Sequence, residues 1–94
     1  MMLTNYTANH TKMAMKTYLV KERKRQQLTV AQLAQNAGVP YGTLRKFESS
    51  GNISLSQFLM LMEALNKLEK LHQLANTPGI SRMEQMLEQR SRQG

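Results

Sequence analysis

Apolar residues recur every three to four positions along most of this 94-residue chain, the spacing that lines one face of an α-helix. Five segments carry the pattern. Met15 and Leu19, with Tyr18 or Val20, predict a first helix over 12–27; Leu33, Ala34 and Ala37 predict a second over 29–36; Leu44 and Phe47 predict a third over 40–49. Phe58, Leu59, Leu61, Met62 and Leu65 line a fourth over 55–66, and Leu68, Leu71, Leu74 and Ala75 a fifth over 67–76. Thr29 with Gln32, and Ser54 with Gln57, match the capping box in which two side chains satisfy free amides at a helix start. Residues 49–52 between the third and fourth helices predict a polar loop. Residues 1–11 lack periodicity and are rich in Thr and Asn, so a flexible arm is expected there. Thr77, Pro78 and Gly79 break the pattern. In the tail over 77–94, Ser81 with Glu84 gives a third capping box and Ile80, Met83, Met86 and Leu87 an apolar stripe. The expectation is one domain over 12–76 between an arm and a tail with a short helix. That tail either docks on its own domain or a dimer mate, or orders on contact with a partner.

Between the second and third helices the chain has to turn sharply. Gly38 accepts the positive φ of such a turn, and Pro40 fits the first turn of a following helix without losing a needed hydrogen bond. Leu33, Ala34, Ala37, Val39, Leu44 and Phe47 then face inward from two steeply crossed helices, with the small Ala34 at the crossing. This is a helix-turn-helix.

The stretch QLAQNAGVPYGTLRKFESSG resembles the Cro/repressor-type (Xre) helix-turn-helix family over roughly residues 15 to 66. Leu33, Ala34, Ala37, Gly38, Val39, Leu44 and Phe47 are all acceptable at the positions that family restricts. Two departures stand out. Val30 replaces a common Gln at a phosphate or base contact, and Glu48-Ser49-Ser50-Gly51 is one residue longer than the usual ending, which predicts a longer loop. The resemblance implies an all-α, five-helix lambda-repressor-like helix-turn-helix domain whose third helix enters the major groove of double-stranded DNA. It also implies a structural ion pair between Arg23 and Glu48.

With Leu44 and Phe47 turned inward, helical spacing leaves Tyr41, Gly42, Arg45 and Lys46 facing out, at positions the family uses on DNA. Arg45 has the planar donor fork that matches guanine O6 and N7. Lys46 suits a phosphate, Tyr41 a phosphate or a thymine methyl, and Thr43 is a secondary backbone contact. Gly42, a poor helix former, is explained either by close approach of DNA or by tolerated drift. An amide at the start of the second helix, at Thr29 and Val30, receives a phosphate.

Charge adds to this picture. Thirteen Lys and Arg against six Glu, with no Asp, give +7. Lys12, Lys16, Lys21, Arg23, Lys24 and Arg25 against Glu22 put +5 of it within residues 12–25. Beside a helix-turn-helix such a cluster reads as a phosphate-contacting surface, with Lys24 and Arg25 as its contacts.

Composition removes other classes. The chain has no Cys, which excludes a disulfide scaffold and a thiolate metal site, and His10 and His72 alone offer imidazole. No metal or cofactor is expected. The absence of a Gly-rich phosphate loop and of any Ser/His/acid set speaks against an enzyme. RNA-binding modules stack bases on aromatics, of which the contact face holds only Tyr41. There is no run of about 20 apolar residues and no signal-peptide core, so a cytoplasmic protein without a membrane association is expected. More leucines than a small core needs predict a two-fold homodimer, hence a palindromic operator. The span over 48–74, with the tail after it, looks like the small Xre regulators encoded beside Hip-type kinase toxins. That likeness implies an antitoxin that binds a kinase-like toxin and represses their shared promoter. The alternative is a stand-alone Xre-family transcriptional regulator.

Overall fold

The computed structural model describes residues 6–77, which fold as five helices: α1 (Ala8–Arg25), α2 (Val30–Ala37), α3 (Tyr41–Ser50), α4 (Leu55–Ala64) and α5 (Glu69–Asn76). The all-α, five-helix expectation holds. The first five residues of the arm and the tail beyond Thr77, including the Ser81/Glu84 capping box, lie outside the described residues.

Several helix boundaries depart from the apolar pattern, α5 for example starting at Glu69 and not at residue 67, and the following have a local cause. α1 starts at Ala8 and not at Lys12, so the predicted arm is shortened. The Thr7 side chain accepts the His10 amide at 3.0 Å and caps a first turn whose residues are exposed and carry no apolar signal. α3 runs on through Ser50, so the additional residue after Glu48 extends the helix and does not lengthen the loop. Ser49 and Ser50 donate from Oγ to the Lys46 carbonyl at 3.0 and 2.7 Å, which satisfies the polar hydroxyls within the helix. α4 stops at Ala64, two residues early, because Asn66 takes φ 61° and the Lys67 amide returns to the Met62 carbonyl at 2.8 Å. Asn tolerates this left-handed stop. Gln27, at φ 60°, ends α1 in the same way, with the Leu28 amide on the Arg23 carbonyl at 3.1 Å.

The Thr29–Gln32 capping box forms completely: Thr29 Oγ1 accepts the Gln32 amide at 3.0 Å, and the Thr29 amide donates to Gln32 Oε1 at 2.9 Å. At α4 only half of it forms. Ser54 Oγ accepts the Gln57 amide, but Gln57 Oε1 turns to the Ser54 hydroxyl and not to its amide.

α2 packs against α3 and α4, and α1 against α3. Leu19, Leu33, Leu44, Leu61 and Leu65 are fully buried between them, and Phe47 meets Phe58 edge to face with ring centroids 5.7 Å apart. Ala34 and Val39 are buried as expected, and Ala37 and Met15 are half-buried. Of the two alternatives on α1, Val20 is half-buried and Tyr18 exposed. Gly51, at φ 78°, is a position that favours glycine. A Cβ there would lie 3.2 Å from Met13 Sδ and 3.3 Å from Lys12 Cγ, so the end of α3 touches α1 with no room to spare. Leu68, just before α5, and Leu71 on it reach the core's edge while Leu74 stays exposed.

Polar ties hold the ends of α1. Lys12 Nζ donates to Asn52 Oδ1 at 2.9 Å, and Gln26 Nε2 to the Leu65 carbonyl at 2.8 Å. Glu22, buried beneath the C-terminal end of α1, accepts from Arg25 Nε at 2.7 and 2.8 Å and lies 3.3 Å from Lys67 Nζ. The Arg25 hydrogen bond, reinforced by Lys67 against the cost of burial, holds its carboxyl down from 4.5 to about 2. A carboxylate with a lowered folded pKa contributes stability above its unfolded value, and that contribution fades as the pH falls towards the folded one. Glu22→Gln should therefore unfold at a lower temperature than the parent at pH 7. The gap should close between about pH 4.5 and pH 2 in a melting series. A gap of constant size across that range would show that Glu22 carries no such linkage.

Candidate nucleic-acid interface

The rotation of α3 about its axis is fixed by Leu44 and Phe47, fully turned into the core. The opposite face consequently carries Tyr41, Gly42, Arg45 and Lys46, all exposed, with Thr43 half-buried at its edge. Tyr41 and Arg45 stand one turn apart and touch: Arg45 Nη1 donates to the Tyr41 hydroxyl at 3.3 Å, and its guanidinium carbon lies 5.9 Å from the ring centroid. The phenol thus holds the guanidinium by a hydrogen bond and by attraction to the ring face.

Gly42 lies between them in the first turn. Beyond its chain neighbours and the backbone of its own helix, no protein atom comes within 4 Å of where a Cβ would stand, and its φ is ordinary, so nothing packed against it requires glycine there. Glycine there weakens the helix by about 0.5–1 kcal/mol relative to Ala without serving packing, which leaves close approach of a ligand or tolerated drift as its explanation.

At the start of α2, Thr29 uses both its hydroxyl and its amide in the capping box. Val30 packs its side chain against the core. What Val30 offers outward is its backbone amide, one of those a helix start leaves without an intrahelical partner.

The basic cluster of residues 12–25 is divided by the fold. Arg23 is buried and forked onto Glu48, Nε to Oε2 at 2.7 Å and Nη2 to Oε1 at 2.9 Å, while Nη1 donates to the Leu28 carbonyl at 2.8 Å. Arg25 is committed through Nε to Glu22, which raises its pKa further, although 64% of its side chain remains exposed. Lys12 reaches across to Asn52. Lys21 and Lys24 are exposed on α1, and Lys24 lies just before the turn of residues 26–29 that leads into α2. The cluster is therefore partly scaffold. The buried Glu22 and its partner Lys67 escaped the sequence reading; the three-residue spacing of Glu22 and Arg25 was the available signal, and the long-range contact to Lys67 left none.

A family model described as Helix-turn-helix matches residues 19–71, more than half of the chain. The match begins midway along α1 and ends within α5. No curated protein and no solved structure matches the chain. Among the described residues no helix is long and apolar enough to cross a membrane.

Gly42→Ala separates folding from contact. It should raise the unfolding free energy by up to about 1 kcal/mol and at the same time weaken duplex DNA binding in a titration. A variant that is stabilised and binds unchanged would mean that no ligand approaches this turn.

Proposed function

The chain belongs to the Cro/Xre-type helix-turn-helix family of DNA-binding transcriptional regulators, and from that premise we propose that it is a sequence-specific, autoregulating repressor acting as a homodimer on a palindromic operator in the cytoplasm. The observation that carries the reading is the outward face of α3. It presents a guanidinium steadied by Tyr41, a backbone laid open at Gly42 and a free-standing Lys46. Arg45 reads a guanine edge, because its fork matches O6 and N7 together. Tyr41, Thr43 and Lys46, the Val30 amide, and Lys24 and Arg25 contact the phosphate backbone, which fixes register and supplies most of the affinity, while Thr29, its amide and hydroxyl engaged in the capping box, holds that helix start in place. Arg23 and Glu48 take no part in contact and hold α1 to α3. Two copies about a two-fold axis would read half-sites about 10 base pairs apart.

The finer role we infer is that of an antitoxin, which represses its own operon and binds a Hip-type kinase toxin encoded beside it. The likeness of residues 48–74 and of the tail to such regulators supports it. Co-expression with the product of a neighbouring kinase-like reading frame is the direct check. A stable complex that lowers the kinase's toxicity is expected, and free, unaffected toxin would leave a stand-alone regulator.

Base and phosphate roles separate by substitution. Arg45→Ala should lose about 1–3 kcal/mol on the cognate operator and little on random duplex, whereas Lys24→Ala should weaken both alike and reduce the salt slope by about one. Equal losses on both duplexes for Arg45→Ala would remove it as a base reader.

Fluorescence anisotropy against the DNA upstream of its own reading frame, with a scrambled duplex beside it at several salt concentrations, tests the repressor reading itself. A preference of about a thousandfold or more is expected. Equal and steeply salt-dependent binding to both would place its target elsewhere or reduce the basic face to a non-specific one.

A further inference from the structure

On the side of the domain bounded by α1, the α3–α4 loop, α4 and α5 lies an open groove of about 460 Å³. Met15, Ile53, Leu55, Phe58 and Leu71 line it, and Lys12 and Asn52 stand at its polar margin. Leu55 is 72% exposed, and Leu74, one turn beyond Leu71 on α5, is 71% exposed. An apolar stripe therefore runs from the core at Leu68, just before α5, past the groove at Leu71, to open solvent at Leu74. The chain leaves the described residues at Thr77, at the end of that stripe.

Residues 78–94 continue with Pro78 and Gly79 and then with a second apolar stripe, Ile80, Met83, Met86 and Leu87. At 100° per residue these four share one helical face. Glu84 and Glu88 fall together on one flank of it. Two apolar helical stripes separated by a Pro-Gly break are the sequence form of a helical hairpin, whose connections span about 2–8 residues. A nine-residue helix over 80–88 would be about 13.5 Å long, close to the roughly 12 Å of the eight-residue α5, so a reversal at Pro78-Gly79 lays one stripe along the other. The acidic flank then meets the groove margin at Lys12, whose ammonium has a neutral amide, Asn52, as its partner.

We propose that residues 80–88 of the same chain fill this groove as a sixth helix, antiparallel to α5, with Ile80, Met83 and Leu87 covering Leu74, Leu71 and Leu55 and with Glu84 and Glu88 facing Lys12. The domain is completed by its own tail. This assignment is independent of what α3 binds.

The chain has no cysteine, so an introduced pair reports without interference. Full-length protein carrying Leu55→Cys and Met83→Cys is oxidised at low micromolar concentration and followed on non-reducing gels. Lys21→Cys with Met83→Cys, on the far side of α1, serves as the control for mere tethering. Because Leu55 and Lys21 are both exposed, neither change threatens the fold, and circular dichroism verifies this. Intrachain closure should be faster than the control by about tenfold or more, because docking raises the local concentration above that of a free tether. Leu74→Lys should remove that advantage. Predominantly interchain products would overturn the proposal by giving the groove to a second copy, and equal rates for the two pairs would overturn it by leaving the groove for another protein.

Discussion

One guanidinium fastens three parts of this molecule. Arg23 of α1 is forked onto Glu48 of α3 and bonds the Leu28 carbonyl in the turn that leads to α2. Its side chain is 11% exposed and that of Glu48 14%. Removing one member of such a pair strands the other charge in poor solvent, typically at about 3–5 kcal/mol, against a whole-domain stability of about 5–15 kcal/mol. Replacing both by apolar residues of the same volume is often neutral, so what the pair contributes is arrangement. Glu48 follows directly on Phe47, the buried ring that sets the rotation of α3. The bridge and the ring together fix which residues of α3 face out.

The same principle reorganises the charge. As a string, residues 12–25 are a block of +5, and its long-range attraction for a polyanion survives folding because net charge does. Short-range contacts obey geometry instead. Arg23 answers Glu48, Arg25 answers a buried Glu22 that also holds Lys67, and Lys12 reaches Asn52. Those links draw α1 to α3, to the loop after α3 and to the turn between α4 and α5. A basic cluster that first looks like a contact surface turns out to include much of the wiring that orients α3, leaving Lys21 and Lys24 exposed on the outside of α1.

How much of this the sequence disclosed follows from the range of each interaction. The buried positions Leu33, Ala34, Val39, Leu44 and Phe47 were legible because burial imposes a period, and the outward face of α3 followed as their complement. The Thr29–Gln32 box was legible because both partners lie within four residues. The first turn of α1 was not: it projects beyond the core, so its residues carry no apolar mark, and Thr7 alone announces it. Ser49 and Ser50 looked like loop residues because serine competes for backbone bonds; here they satisfy the Lys46 carbonyl and stay helical. Asn66 ended α4 early through a conformation that an apolar period does not register. Glu22 was hidden for a different reason, since one of its partners is Lys67, 45 residues away.

Local consistency is the rule in this chain, which makes the exceptions informative. Capping residues, turn glycines and the apolar face all agree with the fold, and Gly38 and Gly51 each occupy a positive φ. Gly42 alone among the described glycines is held by neither backbone geometry nor a neighbour. It sits between Tyr41 and Arg45, the exposed pair in which a flexible guanidinium is already steadied. Ordering a long side chain on binding typically costs about 0.5–1.5 kcal/mol, and a residue ordered beforehand returns part of that to affinity. On the proposed reading, an open backbone beside a pre-ordered donor fork is a local cost to helix stability set next to a local gain in recognition. The two are separable by substitution because they belong to different residues on the same turn.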